Sequence, residues 1–263
     1  MQENKKFKIV TSKKTRYLLP NILTLAGVCL GISSIKFSID GNFSLAVKLI
    51  LFAAILDALD GRIARLIKGT SEFGKELDSL TDFVSFGIAP VFILYFWELN
   101  NYGKLGWAIT LIYSVCCVLR LARFNLTKVE ETQDWKNNFF EGIPSPAGGL
   151  LISMPLIYEL TNIDIGFNVK NFTPYLTVVI AILLVSKIPT LALKKISISS
   201  KATVFLLLGI GIIFIALLFY TLETLLIFGI IYLISIPVSM ILFNNQNKKN
   251  AEKISEDNHE DIL

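Results

Sequence analysis

Eight apolar segments of similar length dominate the sequence, and this feature limits the possible fold more than any other. A helix that crosses the hydrocarbon core of a bilayer needs about 20 predominantly apolar residues. Of the 263 residues, 53% are hydrophobic and only 17% are charged, whereas soluble domains average about 45–50% and about 25%. The segments cover roughly residues 19–39, 43–61, 76–97, 105–124, 146–162, 172–189, 202–220 and 222–243. The sequence therefore predicts an all-α, polytopic membrane bundle of about eight transmembrane helices and disfavours a water-soluble enzyme.

The basic residues are unevenly distributed between the segments. Six lysines and arginines precede the first segment, and four lie in or beside each of the second, fourth and sixth loops. Cytoplasmic loops carry the excess of such residues, so both termini and the even-numbered loops are predicted to face the cytoplasm of a cell membrane. We expect a basic segment at 1–18, a membrane domain at 19–243 and a polar, disordered tail at 244–263.

The cysteine and histidine residues limit the disulfide bonds and the catalytic mechanisms that the sequence allows. Cys29, Cys116 and Cys117 all lie within apolar segments, which argues against a disulfide framework. The single histidine, His259, lies in the polar tail, so a mechanism that uses a histidine base or a phosphohistidine is disfavoured.

Four aspartates flank the second loop. Asp57 and Asp60 close the second segment, and Asp78 and Asp82 open the third. Charges at membrane depth are costly, about 2.5–3.5 kcal/mol each on insertion scales. Because the spacings are i, i+3 and i, i+4, each pair shares one helix face, and two antiparallel helices would aim all four carboxylates into one cleft. Oxygen ligands suit Mg²⁺ or Mn²⁺, so we expect a site for two divalent cations.

Two other interpretations of these aspartates stay open. They could cap the helices or pair with Arg62, Arg65 and Lys75 of the same loop. They could also mark the ion pathway of a cation transporter, because intramembrane carboxylates occur there too. Their position at the end of a span, not at its middle, favours chemistry at the membrane surface.

The same region resembles a known family. Asp57-Ala-Leu-Asp60-Gly61-Arg-Ile-Ala64-Arg65, eight further residues, and then Gly74-Lys-Glu-Leu-Asp78-Ser-Leu-Thr-Asp82 resemble the complete signature of the CDP-alcohol phosphatidyltransferases. The resemblance implies transfer of a phosphatidyl group from a CDP-linked lipid to an alcohol, with release of CMP. It also implies that Asp57, Asp60 and Asp78 hold two cations and that Asp82 binds the second cation and acts as the base. The residues implied for the CDP-lipid site are Asp57, Gly61, Ala64, Arg65 and Gly74.

Three further stretches resemble the bacterial and archaeal phosphatidylserine synthases of this family. They run over residues 78–90, 120–125 and 140–147, and they imply CDP-diacylglycerol and L-serine as substrates. An arginine fork suits the serine carboxylate, although the arginines could equally be positive-inside anchors and the serines could be packing residues. The candidates for serine binding are Ser79, Ser85, Arg120, Arg123 and Asn125.

The sequence also bears on other acceptors for the phosphatidyl group and on binding partners. A sister enzyme that uses glycerol 3-phosphate or inositol phosphate is the alternative, but such an acceptor needs extra basic residues for its phosphate. A serine synthase of the phospholipase D type needs two histidine-lysine motifs, which one histidine cannot supply. The resemblance further suggests a homodimer in the lipid bilayer, and no nucleic acid is expected as a partner.

Overall fold

The computed structural model describes residues 13–67, 69, 71–126, 139–161, 163, 166, 168–191 and 200–260. Helices dominate this part of the chain. They are α1 (Lys13–Ile39), α2 (Phe43–Leu66), α3 (Glu72–Asp82), α4 (Ala89–Trp97), α5 (Lys104–Leu126), α6 (Ser145–Leu160), α7 (Val169–Val185), α8 (Ser200–Phe219) and α9 (Thr221–Glu260). A π-helical segment, Phe83–Ile88, joins α3 to α4, and a 3₁₀ turn, Leu99–Tyr102, follows α4. Two short strands are β1 (Phe139–Glu141) and β2 (Pro189–Leu191).

Each predicted apolar segment coincides with a helical stretch, so the all-α membrane fold is confirmed. Within the described residues, four stretches are long and apolar enough to cross a membrane: Leu18–Ile39, Glu72–Trp97, Lys104–Leu126 and Thr221–Asn247. α2 carries three charged residues, Lys48, Asp57 and Asp60, within its apolar stretch, and α6 has only 16 residues. The count of eight spans and the cytoplasmic termini therefore stay predictions.

The last helix extends beyond the last apolar segment, while the expected bounds at 18 and 244 and the disorder of 244–263 stay predictions. α9 continues without interruption from the apolar segment to Glu260. Residues 238–260 contain neither glycine nor proline and include several lysine, glutamate and glutamine residues. These are good helix formers, so nothing in the local sequence ends the helix at residue 244.

The chain divides into two compact units, and the division falls between Ser114 and Val115, within α5. In the first unit, α1 and α2 form a hairpin whose turn contains Gly41 at φ +79°. Asn42 caps α2, because its side chain accepts a hydrogen bond from the Leu45 backbone N–H at 3.2 Å. α1 also packs against α3, the π-helical segment and α4, so it contacts every long helix that adjoins the second loop.

The π-helical segment lies very close to α1. A Cβ atom at Gly31 would lie 3.0 Å from Ser85 Oγ and 3.1 Å from Ser85 Cα. The buried Ser85 hydroxyl donates to the Gly27 carbonyl at 3.2 Å. On the other side, the Tyr113 hydroxyl donates to the Phe86 carbonyl at 3.0 Å. The chain that carries Asp78 and Asp82 is thus fixed to α1 at Ser85, one helical turn after Asp82.

The second unit is built around α6, which is buried along most of its length. α6 packs against α7 and α9, and a Cβ atom at Gly229 of α9 would lie 2.6 Å from Met154 Sδ. β1 and β2 pair antiparallel, with Phe139 opposite Leu191. The Ser239 hydroxyl of α9 donates to the Pro189 carbonyl at 2.7 Å, which joins the small sheet to α9.

Replacing Gly31 by leucine tests the contact between α1 and the π-helical segment. Gly31→Leu should lower the stability of the detergent-solubilised protein by about 1–3 kcal/mol, because overpacking forces the backbone of residue 85 to move. Gly209→Leu is the matched control, since a Cβ built at that helical glycine meets no heavy atom of another described element within 4 Å. Thermal unfolding measures both variants, and an equal midpoint for the two would contradict the close contact.

Candidate functional site

The site begins at the turn between α2 and α3. Ser71 caps α3, because its hydroxyl oxygen accepts a hydrogen bond from the Gly74 backbone N–H at 3.0 Å. A Cβ atom at Gly74 would lie 3.1 Å from Ser71 Oγ and 3.3 Å from Asn21 Oδ1. The close packing of α1 against this turn therefore gives Gly74 a structural role, and its part in CDP-lipid binding stays a prediction.

The predicted carboxylates converge. One carboxylate oxygen each from Asp57, Asp60 and Asp78 lies within 4.8 Å of the others. The carboxyl group of Asp57 is also within hydrogen-bonding reach of those of Asp78 and Asp82. The second half of α2 and the second half of α3 thus bring all four aspartates together, as their helical spacing predicts.

The chemistry of this donor set suits a hard divalent cation. Asp60 is only 3% exposed, while Asp57 and Asp78 are more open. Like charges at these distances repel, so the site needs protons or cations for neutrality. Carboxylate oxygens are the ligands that Mg²⁺ and Mn²⁺ prefer, and the four aspartates fit such ions.

Thr24 of α1 is a further part of the site that the sequence analysis did not find. Its buried hydroxyl donates to Asp60 Oδ2 at 2.5 Å. Asn21, on the same face of α1, lies beside Gly74. The available signal was that Asn21 and Thr24 are two polar residues at helical spacing in the otherwise apolar first half of the segment.

The residues implied for the CDP-lipid site lie on the last turns of α2. Asp57, Gly61 and Arg65 follow one another at spacings of four and therefore share a helix face. Among the residues that the structure describes outside its own helix backbone, a Cβ atom at Gly61 would meet only Arg65 Nη1, at 3.7 Å, so the space over Gly61 is open towards them. Ala64 lies beside this face and is partly buried, whereas Arg65 is exposed.

The sequence left open that the aspartates pair with basic residues of the same loop, and Lys75 is one of these residues. It forms its ion pair with Glu72, at 2.5 Å. Lys75 thus has a carboxylate partner outside the four aspartates.

Two of the serine-binding candidates lie in the first unit. The Ser79 hydroxyl donates to the Lys75 carbonyl at 3.2 Å. Ser85 is buried against α1, where its hydroxyl donates to Gly27. The structure thus gives Ser85 a packing contact between helices, and serine binding by either residue stays a prediction.

The other three serine-binding candidates belong to the second unit. Arg120 is 8% exposed, and its Nη1 donates to Ser145 Oγ at 2.6 Å. Arg123 donates from Nη1 to the Val185 carbonyl at 2.7 Å and from Nη2 to the Ser186 carbonyl at 3.0 Å. Asn125 is partly buried near the end of α5. The structure therefore distinguishes the two arginines, because Arg123 holds the end of α7 while Arg120 contacts a side chain.

Several known proteins are similar to this chain. A CDP-diacylglycerol–serine O-phosphatidyltransferase of Mycobacterium tuberculosis (strain ATCC 25618 / H37Rv) is 37% identical over 182 residues, which cover 69% of this chain and 63% of that protein. The enzyme of the same name from Helicobacter pylori (strain J99 / ATCC 700824) is 35% identical over 239 residues, or 88% and 97% of the two chains. An archaetidylserine synthase of Methanothermobacter thermautotrophicus is 33% identical over 175 residues, or 65% and 68%.

The extent of these matches differs. The chain spans less than two thirds of the length of the mycobacterial relative and nearly the whole of the Helicobacter relative. The sequence profile described as CDP-alcohol phosphatidyltransferase matches residues 17–242. Since this match includes all four converging aspartates and most of the chain, the protein belongs to the CDP-alcohol phosphatidyltransferase family.

Proposed function

We propose that the protein transfers the phosphatidyl group of CDP-diacylglycerol to the hydroxyl group of L-serine and releases CMP. The convergence of Asp57, Asp60 and Asp78 within 4.8 Å carries this proposal, because a diphosphate reaction needs such an arrangement of carboxylates for its cations. The names of the bacterial relatives favour serine as the acceptor. In the reaction, the serine oxygen bonds to the phosphorus of the phosphatidyl group, and the bond from that phosphorus to CMP breaks. CMP leaves with the electron pair.

The four aspartates have different proposed roles in this reaction. Asp57, Asp60 and Asp78 would hold two divalent cations, Mg²⁺ or Mn²⁺, with Asp82 as a ligand of the second. When bound, the cations neutralise charge on the diphosphate and on the leaving CMP. Asp82 is the proposed base and accepts the proton of the serine hydroxyl group as that oxygen attacks. Thr24 keeps the Asp60 carboxylate in a fixed orientation through its 2.5 Å hydrogen bond.

Substrate binding uses residues beside the aspartates. The exposed guanidinium group of Arg65 offers charge-assisted hydrogen bonds to the diphosphate, and the open space over Gly61 admits the nucleotide. Ala64, Asp57 and Gly74 complete the proposed CDP-lipid site. The candidates for serine binding are Ser79, Ser85, Arg120, Arg123 and Asn125, and among the arginines Arg120 contacts a side-chain hydroxyl group, that of Ser145.

The membrane arrangement follows from the charges between the apolar segments. We propose that the membrane domain covers residues 19–243 of a cell-membrane protein, flanked by a basic segment at 1–18 and a polar tail at 244–263. Both termini and the aspartates would face the cytoplasm. The nucleotide head group of the lipid and serine would then lie in water, while the acyl chains stay in the bilayer. A homodimer is the proposed assembly, and it rests on the family resemblance alone.

The direct test of the function is CMP release by the purified protein in detergent. Adding L-serine to protein that holds CDP-diacylglycerol and Mg²⁺ or Mn²⁺ should release CMP and form phosphatidylserine. Excess chelator should abolish the reaction, and Asp57→Asn, Asp60→Asn and Asp78→Asn should each lower turnover by several orders of magnitude. CMP release with glycerol 3-phosphate but not with serine would replace the proposed acceptor. Full turnover in excess chelator would exclude the cation site.

Asp82→Asn separates binding from chemistry. The variant should keep its affinity for CDP-diacylglycerol within about tenfold, or about 1.4 kcal/mol, because three aspartates remain. It should lose nearly all turnover with serine, because an amide does not accept the proton. Lipid binding and single-turnover rates measure the two effects, and Asp40→Asn, at the distant end of the α1–α2 hairpin, serves as control. If Asp82→Asn instead lost lipid binding completely, Asp82 would be chiefly a ligand of the cation and another residue would have to be the base.

Thr24 is tested through the cation dependence of the reaction. Thr24→Val keeps the shape of the side chain but removes the donor to Asp60, so the half-saturating Mn²⁺ concentration should rise about 10–100-fold, as for other groups that orient metal ligands. Thr24→Ser keeps the hydroxyl group and should restore most of the affinity. Thr110→Val removes a buried hydroxyl that donates to the Gly106 carbonyl of its own helix and should leave the Mn²⁺ dependence unchanged. The same Mn²⁺ dependence for Thr24→Val and wild type would remove Thr24 from the site.

A further inference from the structure

Thr81 of α3 is a buried polar residue to which neither the family signature nor the proposed chemistry gives a role. Only 3% of the residue is exposed. Its hydroxyl oxygen, Oγ1, forms no hydrogen bond with the part of the chain that the structure describes. A buried hydroxyl group without a partner costs about 1–3 kcal/mol, and such groups are rare in folded proteins. We therefore expect the Thr81 hydroxyl group to bind something besides the protein chain.

Other buried threonines in the helices bind their own helix. The hydroxyl groups of Thr110, Thr173 and Thr177 each donate to the carbonyl oxygen four residues earlier, at 2.9 Å in all three cases. The equivalent carbonyl for Thr81 is that of Leu77, and the Thr81 hydroxyl group makes no such bond. This hydroxyl group is thus available to a partner outside α3.

Thr81 lies beside the aspartate site. On α3 it directly precedes Asp82 and follows Asp78 by three positions, and residues three apart are neighbours on a helix surface. On the side of α1, a Cβ atom at Gly27 would lie 3.4 Å from the Thr81 methyl carbon. Gly27 itself lies three positions after Thr24, which binds the aspartate site from the same helix. Thr81 is thus one helical turn from the carboxylates along α3 and one turn from the Thr24 contact along α1.

The backbone around Thr81 is held by contacts with α1. The π-helical segment begins at Phe83, two residues later, and such segments frequently occur at functional sites. Ser85, one turn after Thr81, donates to the Gly27 carbonyl at 3.2 Å. The Thr81 methyl group packs at the same glycine. The position of the Thr81 side chain between α1 and the aspartates is therefore fixed, as a binding group requires.

The surrounding charge identifies the partner. Oxygens of Asp57, Asp60 and Asp78 converge within 4.8 Å, so the region is negative and disfavours an anionic ligand. A hydroxyl group donates one hydrogen bond, whereas ionised carboxylates only accept. A water molecule connects the two kinds of group, because it accepts from Thr81 and donates to a carboxylate. Buried waters typically make about three hydrogen bonds to polar groups that otherwise have no partner.

We propose that Thr81 binds a buried water molecule that connects its hydroxyl group to the carboxylates of Asp78 and Asp82. Thr81 is then a positioning residue of the cation site, and it acts through this water as Thr24 acts directly on Asp60. This role rests on the proposed function, because it requires cations at the aspartates. Groups that orient metal ligands contribute about 10–100-fold to the affinity for the metal.

The first test measures Mn²⁺ binding and needs no turnover. Electron paramagnetic resonance determines the free Mn²⁺ in solutions of detergent-solubilised protein that holds CDP-diacylglycerol but no serine. Thr81→Val keeps the shape of the side chain and removes the hydroxyl group, so the half-saturating Mn²⁺ concentration should rise at least about tenfold. Thr81→Ser retains the hydroxyl group and should bind Mn²⁺ nearly as well as the wild type.

The control for this binding experiment is Thr177→Val. It removes a buried hydroxyl group of α7 that donates within its own helix, and it should leave the Mn²⁺ affinity unchanged. An unchanged affinity in Thr81→Val would overturn the inference. So would an equal loss of affinity in Thr81→Ser, because the packing of the side chain and not its hydroxyl group would then matter.

The second test uses thermal unfolding in excess chelator and shows what the hydroxyl group binds. With a bound water, Thr81→Val removes a hydroxyl group that has a partner, and the unfolding midpoint should stay equal or fall. Without a partner, or with a cation as the only partner, valine replaces an uncompensated buried group, and the midpoint should rise. A higher midpoint for Thr81→Val in chelator would therefore exclude the bound water.

The two experiments also separate this inference from the proposed function. Wild-type protein that binds no Mn²⁺ would overturn the cation site of the proposed function. Wild-type protein that binds Mn²⁺ with the same affinity as Thr81→Val would overturn the role of Thr81 alone.

Discussion

Repulsion among the aspartates is the constraint on which the first unit depends. Two like charges about 4 Å apart repel by about 4 kcal/mol at an effective dielectric constant of about 20, and oxygens of Asp57, Asp60 and Asp78 lie within 4.8 Å of one another. Bound cations remove this repulsion, but the protein backbone has to present the carboxylates in the right places. The contacts around α2 and α3 therefore need to be strong enough to hold groups that would otherwise separate.

α1 provides much of that support. It packs along α2 and against α3 and the π-helical segment, and small residues at its surface allow a close approach to Ser85. The same helix supplies the hydroxyl group that orients Asp60. A helix that the sequence identifies only as a membrane span thus acts as the scaffold of the site.

The features that the sequence predicts correctly are local ones. The convergence of the aspartates follows from i, i+3 and i, i+4 spacings on two helices joined by a short turn, and the apolar segments mark the helices themselves. The bond from Thr24 to Asp60 joins residues 36 positions apart, and no spacing rule predicts such a pair. β1 and β2 have three residues each and pair across about 50 positions, so they carry no alternation long enough to recognise.

The arginines of α5 show that the role of a charged residue does not follow from its position in a motif. Arg120 and Arg123 lie on one face of the helix, so the sequence treats them as equivalent forks for an acceptor. In the fold, the terminal nitrogens of Arg123 bind the carbonyls that end α7. This interaction is favourable because the carbonyl end of a helix carries partial negative charge. Arg120 instead donates from Nη1 to the buried Ser145 hydroxyl group at 2.6 Å. Two residues that are equivalent by their spacing in the sequence therefore have different partners in the fold, because tertiary contacts and not helix position decide what each guanidinium group binds.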